Sequence, residues 1–360
     1  MSSYVELDHS PQENQSKDKE EESLKLIDKP DVNDEVRHRA RSVIKIIYSR
    51  QFLQALLLGQ CLSILLCGTG VFSGLLQNRG INIPTAQSFL MYCALCLIFT
   101  TQLAYKQGER NLVNILKSFD GLKYALIGLI DVEANYLVVK AYGYTSVTSV
   151  QLLDCFSIGV VLLLSRFLLG THYHLIHYAG VAVSVLGLAG LVTADVITGK
   201  NQDSGSNIVL GDVLVISGAV LYGVSNVAQE FVVKNYNKSE FLGMLGMFGT
   251  LVSGIQVILV EQKELAKVNF SSYEIALLWL GFCIFLFLIY TCMSIVIEKT
   301  SATVTNISVL TADFYALLFG IFIFGYTFHF LYLISFMVVI VGVAVYSFRT
   351  TQPCPNPSSG

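Results

Sequence analysis

Four carboxylates stand where the chain is otherwise most apolar: Asp131 and Glu133 in the stretch 122–141, Asp154 in 145–168 and Asp313 in 302–324. At 1.5 Å of rise per residue, ~10 residues inside a helix reach the centre of a bilayer. Each of the four lies near that depth. An ionisable side chain there costs about 2.5–3.5 kcal/mol on an insertion scale, so the four together forfeit on the order of 10 kcal/mol. Two kinds of chemistry justify such a cost. The acids face a wet cavity and bind a solute or carry protons, or they hydrogen-bond one helix to another.

Spacing sorts these residues onto faces. Asp131 and Asn135 are four apart and share one face, whereas Glu133 lies roughly 200° round from Asp131 and looks elsewhere. Gln151 and Asp154 are three apart. Tyr222, Asn226 and Glu230 run at i, i+4, i+8, and Thr303, Asn306, Leu310 and Asp313 at i, i+3, i+7, i+10. The expectation is that these stripes converge on one cavity, with Glu230 instead pairing with Lys234 near a helix end. Every deep ionisable group is an acid, and the nearest base, Lys140, sits at the end of its stretch. A cavity of this sign repels a diphosphate and suits a neutral or cationic organic solute, planar if Tyr92, Tyr136, Tyr222, Tyr290 and Tyr315 stack on it. Core or interface packing is the plainer use of those tyrosines. A carboxyl there could also couple transport to protons.

The elements that must position these groups are ten apolar stretches: 53–76, 83–105, 122–141, 145–168, 176–197, 208–233, 240–260, 273–296, 302–324 and 330–348. Each is long enough to cross a bilayer as a helix. The last five repeat the first five at an offset of 155 residues without a gap, pairing Gly68 with Gly223, Thr145 with Thr300, Phe167 with Phe322, Gly170 with Gly325, His174 with His329 and Gly187 with Gly342. Five is odd, so the second unit enters the bilayer from the opposite side. The expected fold is an all-α integral membrane protein of ten transmembrane helices in two inverted five-helix repeats, 53–197 and 208–348, the plan on which many alternating-access carriers are built. Pro84 is the only proline of the membrane domain, so a gating kink is expected at glycine, with Gly159, Gly223, Gly243, Gly246 and Gly249 as candidates. Close helix packing is their alternative use.

Of 360 residues, 53% are hydrophobic and 14% charged, too apolar for a water-soluble chain. Lys and Arg divide fourteen to five between the two sides of the plan, which places both termini in the cytosol. Residues 1–52 read as a disordered cytosolic tail ending in a basic juxtamembrane segment, and 349–360 as a short cytosolic tail. Glu22, Leu26 and Ile27 have the spacing of an acidic dileucine signal for a sorting adaptor, against chance in a charged tail. Seven of the eight cysteines fall inside apolar stretches and read as small core residues, the Cys93–Cys96 pair included. His172, His174 and His177 share a short connection and read as an interfacial loop rather than a metal site. Asn269 begins an N-x-S sequence close to two spans. No Walker-type loop, HExxH, GxSxG or GxGD stands in the chain, so neither an enzyme, a cofactor nor a nucleic-acid partner is expected.

DVEANY (131–136), YTSVTSVQLLDC (144–155), EFLGMLGMFGTLVSGIQ (240–256) and TSATVTNISVLTADFYALLFGIFIFGY (300–326) resemble the F subfamily of the solute carrier 35 family, in the drug/metabolite transporter superfamily, over residues 52–348. The resemblance implies the ten-helix inverted fold and carries over Asp131, Glu133, Asn135, Tyr136, Gln151, Asp154, Asn306 and Asp313 as substrate-binding or coupling positions. Relatives often have a proline just after the DCF stretch, where this chain has Ile158 and Gly159. The implied solute is nucleobase-like, such as a queuine-type modified purine, or an aromatic cationic drug. Sister branches exchange nucleotide sugars in the Golgi, which is the alternative; a non-transporting scaffold or receptor is another. The expected location is the plasma or endosomal membrane.

Overall fold

A computed structural model describes residues 50–106, 108, 110–168, 170, 174–197, 207–268, 272–299, 305, 309, 311–323 and 330–347. Every regular element among them is helical: α1 Arg50–Asn78, α2 Pro84–Tyr105, the short α3 Leu112–Lys117, α4 Phe119–Ala141, α5 Val147–Asp154, α6 Phe156–Leu168, α7 Leu175–Ile197, α8 Ile208–Asn235, α9 Lys238–Leu265, α10 Tyr273–Lys299, α11 Thr311–Phe322 and α12 Phe330–Ser347. Six described helices are long and apolar enough to cross a membrane: most of α1, then α2, Ser149–Leu168, α8, α9 and α10. From Leu56 onward the chain forms one unit.

Local sequence sets the helix ends. Pro84 opens α2, where its missing N–H costs nothing. Ser118 caps α4, its hydroxyl accepting from the Asp120 amide at 3.2 Å, and Asp120 sits in the first turn where the helix dipole favours an acid. Asn237 caps α9 in the same way, its side chain accepting from the Ser239 amide at 3.0 Å. At the far end of α1 the Gly80 amide donates to the Gln77 carbonyl (2.8 Å) and the Ile81 amide to the Leu76 carbonyl (3.1 Å), a Schellman cap that puts Gly80 at φ +75°. Leu76 and Ile81 pack together beside it.

Small residues then set how the helices pair. A Cβ on Gly246 would lie 2.5 Å from the Cys96 amide nitrogen, and one on Gly249 would enter the Tyr92 ring. The α2 and α9 backbones therefore touch, antiparallel, and the Thr100 hydroxyl donates to the Gly243 carbonyl at 2.6 Å. Helices α7 and α12 cross in the same sense: Gly187 meets Val339 and Ser335, while Gly342 meets Ser184 and Gly180. In α1 and α10, Gly68 receives the Phe285 ring and Gly281 the Phe72 ring, with those rings edge to face at 5.2 Å. Gly218 of α8 sits against Val138 and the Ala134 carbonyl of α4.

Of the two uses expected of the glycines, close packing, the plainer one, is what the structure shows, and the kink is not found at them. The helical breaks fall at Cys155, between α5 and α6, and at π-helical turns over Cys96–Thr100 in α2 and Val257–Glu261 in α9. Gly223, Gly243, Gly246 and Gly249 are spent on close packing instead, and Gly159 lies under Val181.

Both ends of the α2/α9 pair are pinned by a buried acid of the second half. At one end Glu261, 4% exposed, accepts from the Thr85 (2.8 Å) and Ala86 (2.9 Å) amides that open α2. At the other Glu240, 1% exposed, takes a bidentate bond from Arg110 (3.0 and 3.1 Å to Nε) and one from the Tyr124 hydroxyl at 2.7 Å. Arg110 also covers the Tyr236 ring at 3.4 Å. Glu240 holds the Arg110 guanidinium charged beyond its ordinary range, and the Lys123 ammonium keeps Asp120 below the usual carboxylate range.

Candidate functional site

A cavity of about 110 Å³ lies between α1, α4, α5, α6, α8 and α10. Leu62, Leu66, Phe282, Leu286 and Met293 form its apolar walls, and Asp131, Asn135, Gln151, Asp154, Tyr222 and Asn226 reach it from three sides. Sequence spacing placed these six on three separate helical stripes; the fold brings the stripes to one chamber. Thr69, Tyr142, Ser157, Gln229 and Tyr290 line it too. Sequence spacing does not place the first four on its wall, and Tyr290 is named there only as a ring that could stack on a solute. Gln229 continues the Tyr222–Asn226 stripe at i+7, so helical spacing carries a signal for it beside Glu230 at i+8.

The two acids of this chamber have opposite surroundings. Asp131, 1% exposed, accepts from the hydroxyls of Tyr92 (2.7 Å), Tyr290 (2.7 Å) and Ser225 (2.8 Å). Asn135 completes the knot by donating to Tyr92 and Tyr290, each at 2.8 Å. Four helices, α2, α4, α8 and α10, meet at this one carboxyl. Tyr92 and Tyr290, read from the sequence as rings for a solute or as core residues, are buried and donate to this carboxyl.

Asp154 is held otherwise. It ends α5, one residue before the break at Cys155, and its buried Oδ1 accepts no hydrogen bond among the described residues. Gln151, one turn earlier, donates to the Tyr142 hydroxyl at 3.3 Å and the Leu66 carbonyl at 3.4 Å. An orphaned carboxyl oxygen in a low-dielectric chamber is satisfied by a proton, a water or a donor group on a ligand. No Lys, Arg or His stands among the described lining residues.

The remaining candidates lie elsewhere. Glu133 and Tyr136 do not line the chamber: they share the α4 stripe of exposed Leu122, Leu126 and Leu129, and the Lys140 ammonium donates to the Tyr136 hydroxyl at 2.7 Å. Glu133 faces away from Asp131, as its 200° offset requires. Glu230 pairs with Lys234 across one turn. Asn306 lies outside the described residues, as do Thr303, Leu310, His172, Asn269 and the Glu22, Leu26, Ile27 triplet; Asp313 falls within α11, but its side chain is not described. His174 and His177 stack at 6.0 Å, and His177 Nδ1 accepts from the His174 amide at 3.0 Å, a cap for α7. No metal-binding group of three His, Cys, Asp or Glu occurs among the described residues.

A polytopic helical membrane protein with an internal, mixed apolar and polar chamber is the build of a solute carrier, and comparison with known proteins agrees. The model of the SLC35F family, solute carrier family 35, matches residues 48–348, so the chain belongs to that family. It is similar to solute carrier family 35 member F2 of Mus musculus (44% identity; 91% of this chain, 87% of the relative) and of Xenopus tropicalis (45%; 89% and 82%). An uncharacterised family 35 member of Schizosaccharomyces pombe is 35% identical over 83% of this chain and 59% of its own length. A crystal structure of 17% sequence identity superposes with a TM-score of 0.57 over 83% of this chain and 97% of its own, a likeness of fold alone.

Proposed function

We propose that this membrane solute carrier moves a small neutral or cationic organic solute, nucleobase-like in size and planarity, by alternating access around the chamber at Asp154. The observation that carries this reading is the unpaired Oδ1 of Asp154 in a chamber whose described lining holds acids and amides but no base. An N–H donor or cation on the solute supplies the missing partner, Tyr222 offers a ring face, and Gln151 and Asn226 offer amides. A diphosphate of a nucleotide sugar would meet the acids with like charge. Asp131 and Asn135 hold the chamber's shape, and a proton on Asp154 when no solute is bound would couple the two fluxes.

Two inverted five-helix repeats, 53–197 and 208–348, supply the two access states. Support comes from α2/α9 and α7/α12, which occupy equivalent places in the 155-residue repeat and run antiparallel, and from Gly187 and Gly342, equivalent residues that make reciprocal contacts. Both termini are cytosolic on the Lys and Arg count, and the plasma or endosomal membrane is the site of action. The test is uptake of a panel of nucleobases, nucleosides, organic cations and nucleotide sugars into liposomes holding purified protein. Uptake of a nucleobase or cation that Asp154→Asn abolishes is expected. Exchange of nucleotide sugars alone, indifferent to Asp154→Asn, would overturn the reading.

A further inference from the structure

A second set of unpaired polar atoms lies away from the chamber, around the end where α1 finishes and α2 begins. Ser73 Oγ, Gln77 Nε2, Thr85 Oγ1, both amide atoms of Gln87 and Gln256 Oε1 are buried and have no hydrogen-bond partner among the described residues. Ser73, Thr85 and Gln87 are at most 2% exposed. Gln87 lines the void inside an apolar plug in which Leu76, Ile81, Ile83 and Ala86 pack with Val257, Val268, Ile275 and Trp279, while Gln77, Thr85 and Gln256 are chain neighbours of plug residues and Ser73 stands about one turn before Leu76. A plug that only sealed the protein would be built without them, because each buried orphan is destabilising. Water satisfies such groups when it reaches them.

Their placement joins this plug to the chamber. Thr69, Ser73 and Gln77 form one stripe on α1 at i, i+4, i+8, and Thr69 lines the chamber. Tyr142 and Gly143 lie along the same stripe: a Cβ on Gly70 would be 3.0 Å from the Tyr142 hydroxyl, and one on Gly143 would be 3.3 Å from Gln77 Oε1. The other three residues belong to the α2/α9 pair, which is close-packed and pinned at both ends. Helices α1 and α10 are tied to each other by Arg79 and Glu274 at 3.0 Å and by the Phe72–Phe285 contact. Between the two pairs the described hydrogen bonds near the plug are few: Trp279 Nε1 and Cys283 Sγ of α10 donate to the Gln87 carbonyl at 3.2 and 3.3 Å.

We propose that α1 and α10 swing together as a gate against a fixed α2/α9 post, opening a hydrated passage from the chamber lined by Ser73, Gln77, Thr85, Gln87 and Gln256. Trp279 is its latch. The passage rests on the carrier reading, since it serves the same chamber, but it is tested without any transport.

Ser73→Cys, Gln77→Cys and Gln87→Cys are made singly in the full chain and exposed to a membrane-impermeant thiol reagent on either side of the membrane, with the unsubstituted protein giving the background of native cysteines. Labelling of Ser73→Cys and Gln87→Cys from one side only is expected, and Trp279→Phe, which removes the latch N–H, should raise its rate about fivefold, the equilibrium shift that follows from one lost hydrogen bond. A Leu76→Cys to Gln87→Cys cross-link formed by oxidant in the Ser73→Cys variant should abolish labelling at position 73, whose own thiol stays free, until a reductant is added. Absence of labelling from both sides in variants that elute as folded protein overturns the passage, whatever the protein transports. Labelling in a protein that moves no solute would sink the carrier reading and leave the passage standing.

Discussion

Asp131 and Asp154 are the same residue type at the same depth, yet the structure assigns them different costs of removal. Asp131→Leu leaves the hydroxyls of Tyr92, Tyr290 and Ser225 without their shared acceptor. Inter-helix hydrogen bonds in membranes average ~0.6 kcal/mol and reach ~1.7, because the separated helices find other partners. Three of them, converging on one buried carboxyl, amount to about 2–5 kcal/mol, at least about an eighth of the ~5–15 kcal/mol that typically holds a fold. Asp131→Asn is the conservative control, since its amide oxygen accepts from both tyrosines and its nitrogen donates to Ser225, so most of the loss should be recovered. Asp154→Asn removes no protein hydrogen bond at Oδ1 and should cost well under the loss expected of Asp131→Leu. The assay is the fraction of detergent-solubilised protein that stays monodisperse after graded heating, read beside uptake per folded molecule. Asp131→Leu should melt well below the parent, with Asp154→Asn melting with it but transporting nothing. The reasoning is refuted if Asp154→Asn destabilises as much as Asp131→Leu, or if Asp131→Leu melts like the parent.

Gly246→Ala forces a methyl onto the Cys96 backbone and should cost about 1–3 kcal/mol, seen as reduced yield and melting temperature, whereas an unchanged melt would mean that α2 and α9 are free to part. Gly80→Ala has open space around it but a left-handed backbone, so a smaller loss of about 1 kcal/mol is expected by the same assay. Glu261→Gln keeps an acceptor oxygen for only one of the two α2 amides, sets an NH2 against the other and removes the charge that complements the helix N-terminus, and should lower the melting temperature by the equivalent of about 1–3 kcal/mol without changing turnover per folded molecule. Lys123 holds Asp120 below the ordinary carboxylate range, so the stabilisation from this ion pair is complete above the unfolded-state value near ~3.9 and fades only as pH falls through the lower, folded-state value. Asp120→Asn should therefore be less stable than the parent at pH 6 and converge with it at strongly acid pH, and a constant difference across that range would contradict the assignment.

Apolar periodicity and the spacing of the polar stripes made much of the chamber legible before any coordinates. Asp131, Asn135, Gln151, Asp154, Tyr222 and Asn226 were all found on its wall because helical spacing alone decides which side chains share a face. What spacing could not supply was the partner of each group. Tyr92 and Tyr290 lie far from Asp131 in sequence, and only the packing of α2 and α10 on α4 turns them into donors. The breaks escape the sequence for a related reason. Glycine is where a kink is sought, with close packing its plainer use, and at Gly243, Gly246 and Gly249 the missing side chain serves packing by admitting a neighbouring backbone or ring. Bends then fall at residues such as Cys155, where no composition signal marks them.

The division of labour between the acids follows from where each sits relative to what can move. Asp131 is tied to four helices at once, among them α2 of the post and α10 of the gate through Tyr92 and Tyr290. A carboxyl so tied is a hinge point: the ends of α1 and α10 can part from α2 and α9 while the knot at its level keeps their register. Asp154 is tied to nothing at Oδ1 and stands at the break between α5 and α6, where a change of partner can be relayed into a change of angle between two half-helices. Binding energy at a carboxyl shifts a conformational balance only to the extent that it differs between the two states. A group already satisfied by three protein hydroxyls has little left to give, and an orphan has all of it.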